Sequence, residues 1–136
     1  MNYDQLLDFA RRYTAAWCSQ NARSVAAFFE EQGSLSINDN APAISRNAIT
    51  QAAESFMTAF PDVRVAIDQL LVQHDRTEYH WTLSGANTGP GGAGKRVRIS
   101  GYELWTFGAD GLIANSQGHF DSAEYQRQLG TGVPER

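Results

Sequence analysis

The chain has 136 residues, 42% of them hydrophobic and 19% charged, with a formal net charge of -4. That length suits one domain, residues 1–136, with a core large enough to need no staples. The acidic balance and the scatter of eleven basic residues exclude a nucleic-acid partner, which calls for a dense basic surface.

Cys18 stands alone, so no internal disulfide forms and a reducing compartment fits best. No apolar run approaches ~18 residues, and Met1–Gln5 carries no signal-peptide pattern. A cytoplasmic location with no membrane partner is therefore expected.

Taken in chain order, the first half reads as helical. Leu6, Phe9, Ala10, Tyr13, Ala16 and Trp17 recur at helical spacing through Asn2–Ser19. After a break at Gln20-Asn21, Val25, Phe28 and Phe29 stripe a shorter helix that stops at Gly33. Leu35-Ser36-Ile37 alternates as a short strand, and Ser45 is placed to N-cap a third helix carrying Ile49, Ala52, Ala53, Phe56 and Met57. Phe60-Pro61-Asp62 ends that helix. Strands follow over Val63–Val72, Thr77–Gly85, Lys95–Phe107 and Leu112–Phe120, and Ser122–Leu129 forms a last short helix. Three helices followed by a sheet predict an α+β fold.

Several tempting motifs carry no chemistry. Gly89–Gly94 fits the dinucleotide pattern G-x-G-x-x-G, and Gly89–Lys95 nearly fits a phosphate loop. Both motifs work by presenting phosphate to a helix N-terminus, whereas the residues after Lys95 alternate as a strand. The segment reads as a flexible connection that can cover a pocket rim. His74, His80 and His119 have no close ligand spacing, so no metal site and no cofactor is expected. His80 falls on the face opposite Trp81 and Leu83, as a surface or dimer-contact histidine.

The strongest chemical signal is Glu103. Along Val97–Phe107 the odd positions read Val97, Ile99, Gly101, Glu103, Trp105 and Phe107, an apolar face interrupted by one acid. A carboxylate pointing inward is costly unless it is paired, hydrogen-bonded or protonated. Its reading stays open between a buried structural acid, bonded to Tyr13, Trp17 or Asn87, and a group that works on a ligand. Gly101 and Gly118 on facing strands remove bulk beside it, which tilts the balance toward a cavity.

Asp121 closes the next strand and also reads as an N-cap, with Glu124 at the third helical position completing a capping box. Whether the two acids share a site depends on the turn at Asp110-Gly111. A two-residue turn pairs Glu103 with Gly118 and sends Asp121 to the other face. A three-residue loop, Ala109-Asp110-Gly111 with Gly111 as a G1 bulge, pairs Glu103 with Gln117 and brings His119 and Asp121 to its side.

The order of segments resembles the SnoaL-like (polyketide cyclase-like) group of the nuclear transport factor 2-like superfamily. The likeness rests on Tyr13–Trp17, Ala59–Asp62, Trp81–Gly89, Asp110–Ile113, and Asp121 with Gln128-Leu129-Gly130. It implies a cone: a strongly curved mixed or antiparallel sheet wrapped around three N-terminal helices, with an interior pocket. It favours the three-residue loop and implies an aspartate acid/base at Asp121, as in the family's cyclases. Two departures stand out. Asn87 occupies the place of a pocket histidine often found in the family, and can donate to an oxyanion but not act as base. Ser116–Asp121 lacks the Arg and inner Asp of the superfamily's limonene-epoxide hydrolases.

From the residues and the resemblance together, Glu103, Asp121 and Asn87 are the expected catalytic set. Tyr13, Trp17, Ile37, Phe56, Phe60, Trp81, Trp105, Gln117 and His119 are the expected ligand contacts. The implied function is acid/base proton transfer on an apolar, cyclic substrate by a cyclase, isomerase or hydratase. The alternatives are a non-catalytic module that binds a small hydrophobic molecule, and an interaction protein using the outer sheet face. The resemblance also implies a homodimer through that face.

Overall fold

A computed structural model describes residues 1–133. Helix α1 (Tyr3–Trp17) starts from a capping box, in which Asn2 accepts from the Gln5 amide and the Gln5 side chain returns a bond to Asn2. It turns Leu6, Phe9, Ala10, Tyr13 and Trp17 into the core. Helix α2 (Ala22–Ala26) is shorter than the sequence predicts, because Phe29 already belongs to strand β1 (Phe29–Ile37). Local helical spacing at Val25, Phe28 and Phe29 loses there to sheet pairing, which buries Phe29 opposite Ile113. A short β2 (Ala43–Ile44) leads to α3 (Arg46–Ala59), capped by Ser45 as expected.

Strands β3 (Arg64–Gln73), β4 (Arg76–Ala86), β5 (Arg96–Phe107) and β6 (Ile113–Phe120) follow, and α4 (Ser122–Thr131) closes the described chain. The six strands form one curved, unclosed sheet in the order β2-β1-β6-β5-β4-β3. All neighbours are antiparallel except β1 and β6, so the sheet is mixed. The predicted α+β cone, a curved sheet around N-terminal helices, is the observed architecture.

The Gly89–Gly94 segment joins β4 to β5, and no helix follows it. Its ends are clamped by Asn87 N–H to Lys95 O (2.9 Å) and Gly94 N–H to Asn87 O (2.8 Å). Helix α4 is fastened to β5 by buried Gln128, whose Oε1 accepts from the Arg98 amide at 2.7 Å. No helix among the described residues is long and apolar enough to cross a membrane.

The β5–β6 hairpin decides the site. Gly108 N–H donates to Leu112 O at 2.9 Å around the loop Ala109-Asp110-Gly111, with Gly111 at φ 78°. The three-residue loop thus forms as expected. A second irregularity then undoes its effect: Phe107 pairs with Ile113 but Thr106 pairs with Asn115, leaving Ala114 as an extra residue. The register moves back by one, and Glu103 faces Gly118 rather than Gln117. The bulge lets Ile113 and Ser116, an odd and an even position, both be fully buried.

Candidate active site

Glu103 projects from β5 into the concave side of the sheet and is buried. Three side chains donate to it. Trp105 Nε1 (2.9 Å), Ser116 Oγ (2.7 Å) and Tyr13 Oη (3.0 Å) all reach Oε1, and Tyr13 also lies 3.2 Å from Oε2. Of the three partners considered from sequence, Tyr13 is found and Trp17 and Asn87 are not. Tyr13 comes from α1, Trp105 from the same face of β5, and Ser116 from β6, where it pairs with Trp105.

No cation is paired with Glu103 among the described residues. Burial therefore pushes its carboxyl above the ordinary value of 4.5, while the bonds from Trp105, Ser116 and Tyr13 pull the other way. Burial, reinforced by the Glu103 charge, holds the Tyr13 phenol well above its usual range. Tyr79, paired with Glu103 across β4 and stacked on Trp105 at 4.7 Å, is raised mainly by burial. Its hydroxyl shares a 2.5 Å hydrogen bond with Thr14 Oγ1.

Glu103 also lines a recess inside the cone. Trp17 and Phe56 come from the helices, Leu35 and Ile37 from β1, and Val65 from β3. Tyr79, Trp81 and Leu83 come from β4, Ile99 from β5, Gly118 and Phe120 from β6, and Tyr125 from α4. The recess offers about 60 Å³ to the centres of water-sized groups. That leaves room for a small molecule, or one ring of a larger one. Every wall residue except Glu103 presents mainly carbon.

Of the sequence-derived ligand contacts, Trp17, Ile37, Phe56 and Trp81 line the recess. Tyr13 and Trp105 lie behind Glu103 as its donors, and Phe60 is fully buried outside the lining. Gln117 and His119 alternate to the outer face, where His119 packs on Tyr102 at 5.1 Å. The shifted register is the reason.

Asp121 is exposed and outside the lining, and it N-caps α4 by accepting from the Glu124 amide at 3.0 Å. Asn87 lies at the start of the β4–β5 loop, likewise outside the lining. The three expected catalytic residues are therefore not brought together.

Sequence reading missed Ser116 as a donor and Leu35, Val65, Tyr79, Leu83, Ile99, Phe120 and Tyr125 as walls. Period-two alternation with Trp81 carried the signal for Tyr79 and Leu83. For Val65 and Tyr125 nothing local did, since their place depends on sheet curvature and on where α4 docks.

Comparison with known proteins agrees with this architecture. No curated protein matches the sequence significantly. TsrD from Streptomyces laurentii superposes with a TM-score of 0.81 at 19% identity, covering 96% of this chain and 98% of that one. A hypothetical protein with a ketosteroid isomerase-like fold from Catenulispora acidiphila, solved in complex with trimethylamine, gives 0.78 at 16% identity over 93% and 97%. An NTF2-like protein of unknown function from Burkholderia pseudomallei gives 0.77 at 16% over 90% and 95%. At these identities the likeness is one of fold. The profile of the SnoaL-like polyketide cyclase family matches residues 7–129, nearly the whole chain, and the protein belongs to that family.

Proposed function

We propose that the protein is an acid/base enzyme of cyclase or isomerase type, acting on a small apolar molecule held in the cone with Glu103 as the proton-transfer group. Membership in a polyketide-cyclase family supports the cyclase-type role. The observation that carries the reading is a buried carboxylate without a cation, opening onto an otherwise apolar recess. Three donors crowd Oε1, while Oε2 takes only the longer Tyr13 contact and keeps acceptor capacity for a ligand.

In the reaction, Oε2 takes a proton from a carbon next to a carbonyl. The C–H electron pair becomes the C=C bond of an enolate, and the carbonyl π pair moves to oxygen. Where a β,γ double bond makes the enolate a dienolate, the neutral Glu103 acid returns the proton at the γ-carbon. Otherwise the enolate carbon bonds to a second carbonyl carbon, whose π pair moves to its oxygen and takes the proton from Glu103. Both outcomes balance without a co-reactant. Desolvation makes the carboxylate a stronger base than it is in water. Asp121 and Asn87 take no direct part in this reading.

The second reading, a binding module, is favoured by one detail: three donors on one oxygen are what a structural acid would also collect. Hydrogen exchange separates the two. In D2O, a small ketone such as cyclohexanone should gain deuterium at its α-carbon faster with the protein than with buffer. The rate should rise with pH through the raised value of Glu103, because the base form is the carboxylate. Glu103→Gln should lower the protein-dependent rate by about 10²–10⁴-fold. An unchanged rate in that variant would remove Glu103 from the mechanism. A small hydrophobic molecule is thus the proposed partner, together with a second copy of the chain across the outer sheet face.

A further inference from the structure

A second polar atom belongs to a residue of the recess wall, and nothing among the described residues satisfies it. Trp81 lines the cavity, and its Nε1–H is sealed from solvent with no hydrogen-bond acceptor among the described residues. An N–H buried without a partner is costly, so native structures normally supply one. The other two tryptophans differ. Trp105 Nε1 is bonded to Glu103, and Trp17 Nε1 is not among the buried unpaired atoms.

The sheet sets Trp81 on the same face as Glu103, one cross-strand pair away. Trp81 pairs with Gly101, and Glu103 lies two residues further along β5 on the same face. A Cβ at Gly101 would meet Trp81 Cζ2 at 2.7 Å, so the ring leans over β5 at the glycine. Cζ2 is two bonds from Nε1, which places the free donor on the β5 side of the ring, beside the strand that carries the acid. No Lys, Arg or His lines the recess, so nothing there compensates a ligand anion next to Glu103.

The geometry points to Trp81 Nε1–H as the donor that grips an acceptor atom of a neutral ligand, with Glu103 Oε2 facing a hydrogen on the same molecule. This rests on the proposed proton-transfer role of Glu103 and adds the ligand's polarity pattern: a neutral carbonyl-type oxygen at Trp81, an apolar body, and a donor or acidic C–H at Glu103. In the enolate-forming step the same N–H would hold the developing oxyanion. Trp81 would then set both orientation and selectivity.

The test compares cyclohexanone with methylenecyclohexane, which replaces the oxygen by CH2 on the same ring, using ¹⁵N-labelled protein. The Trp81 indole N–H resonance is assigned in the wild-type protein itself by triple-resonance spectroscopy on a ¹³C,¹⁵N-labelled sample. Cyclohexanone should move it downfield, and methylenecyclohexane should not. The wild-type preference for the ketone over the alkene should fall by about three- to tenfold in Trp81→Phe. Equal Trp81 shifts with both probes, or an unchanged preference in the variant, would overturn the assignment, as would failure of both probes to bind. The wild-type shift needs no variant, so a misfolded Trp81→Phe does not blunt the test. Deuterium exchange keeps the two claims apart. A ketone-specific Trp81 shift without exchange sinks the base role of Glu103 and leaves the donor standing. Glu103-dependent exchange without a ketone-specific shift does the reverse.

Discussion

Glu103 is held in a balance between burial, which favours the neutral acid, and three donors, which favour the carboxylate. Tyr13 is the donor whose removal reads this balance most cleanly, since Phe keeps the ring and its packing against Trp105 and Tyr79. Tyr13→Phe takes away a bond that lowers the Glu103 pKa, so the rising limb of the exchange-rate profile should move to higher pH. Loss of a buried bond to a charged group should also cost about 1.5–3 kcal/mol by denaturant titration.

Stability carries the same sign information. The folded value of Glu103 lies above the ordinary 4.5, so the folded state binds this proton more tightly than the unfolded chain. Wild-type stability should therefore fall as pH rises from about 4.5 through the raised value. The difference between Glu103→Gln and wild type should shift toward the variant over that window. A difference independent of pH would mean that burial does not perturb this acid.

Strand and helix positions explain which residues reach the recess. Gly101 and Gly118 look alike in sequence, and their surroundings differ. A Cβ at Gly118 would meet only Ser36 O at 3.3 Å and Glu103 Cγ at 3.8 Å. A Cβ at Gly101 would collide with the backbone oxygen of His119 and with Trp81. Gly118→Ala should thus fold, change stability by about 1 kcal/mol or less, and weaken cyclohexanone binding by narrowing the recess. Gly101→Ala should be the far more damaging change in thermal unfolding.

At the start of α4, Asp121 acts as a cap. Asp121→Ala should cost about 0.5–2 kcal/mol, and Asp121→Asn much less, because Asn caps nearly as well. Neither should change the pH dependence of exchange, which would distinguish the cap from an acid/base role. The cap at Asp121 is legible in the sequence, but the expected capping box does not close, because the Glu124 carboxylate accepts from Arg127 and Gln128 instead. The register that keeps Asp121 away from Glu103 is not legible, because the bulge at Ala114 has no Gly or Pro to announce it. It arises when Ile113 and Ser116 are both drawn inward, Ser116 to bond Glu103 and Ile113 to fill the core.

Across the whole molecule, sheet curvature separates two surfaces with different tasks. The concave face holds the recess, and the outer face carries the ladder His80, Tyr102 and His119, with ring centroids 5.4 Å and 5.1 Å apart. If a second copy docks on that ladder, wild type should sediment as a dimer and Tyr102→Lys as a monomer. A wild-type monomer at high protein concentration would end the dimer proposal while leaving the recess untouched.

The sequence by itself determined the helix stripes, the central strand assignments and the inward aim of Glu103, because those follow from periods of 3.6 and 2 that act over a few residues. It also determined the three-residue loop at Gly111, a local matter of turn chemistry. Only the tertiary structure decided that Phe29 joins a strand, that Glu103 faces Gly118, and that Ser116 and Trp105 supply its hydrogen bonds. Those outcomes depend on which segments meet across the sheet, and the burial of Ile113 and Ser116 together outweighed the register that the turn alone would impose.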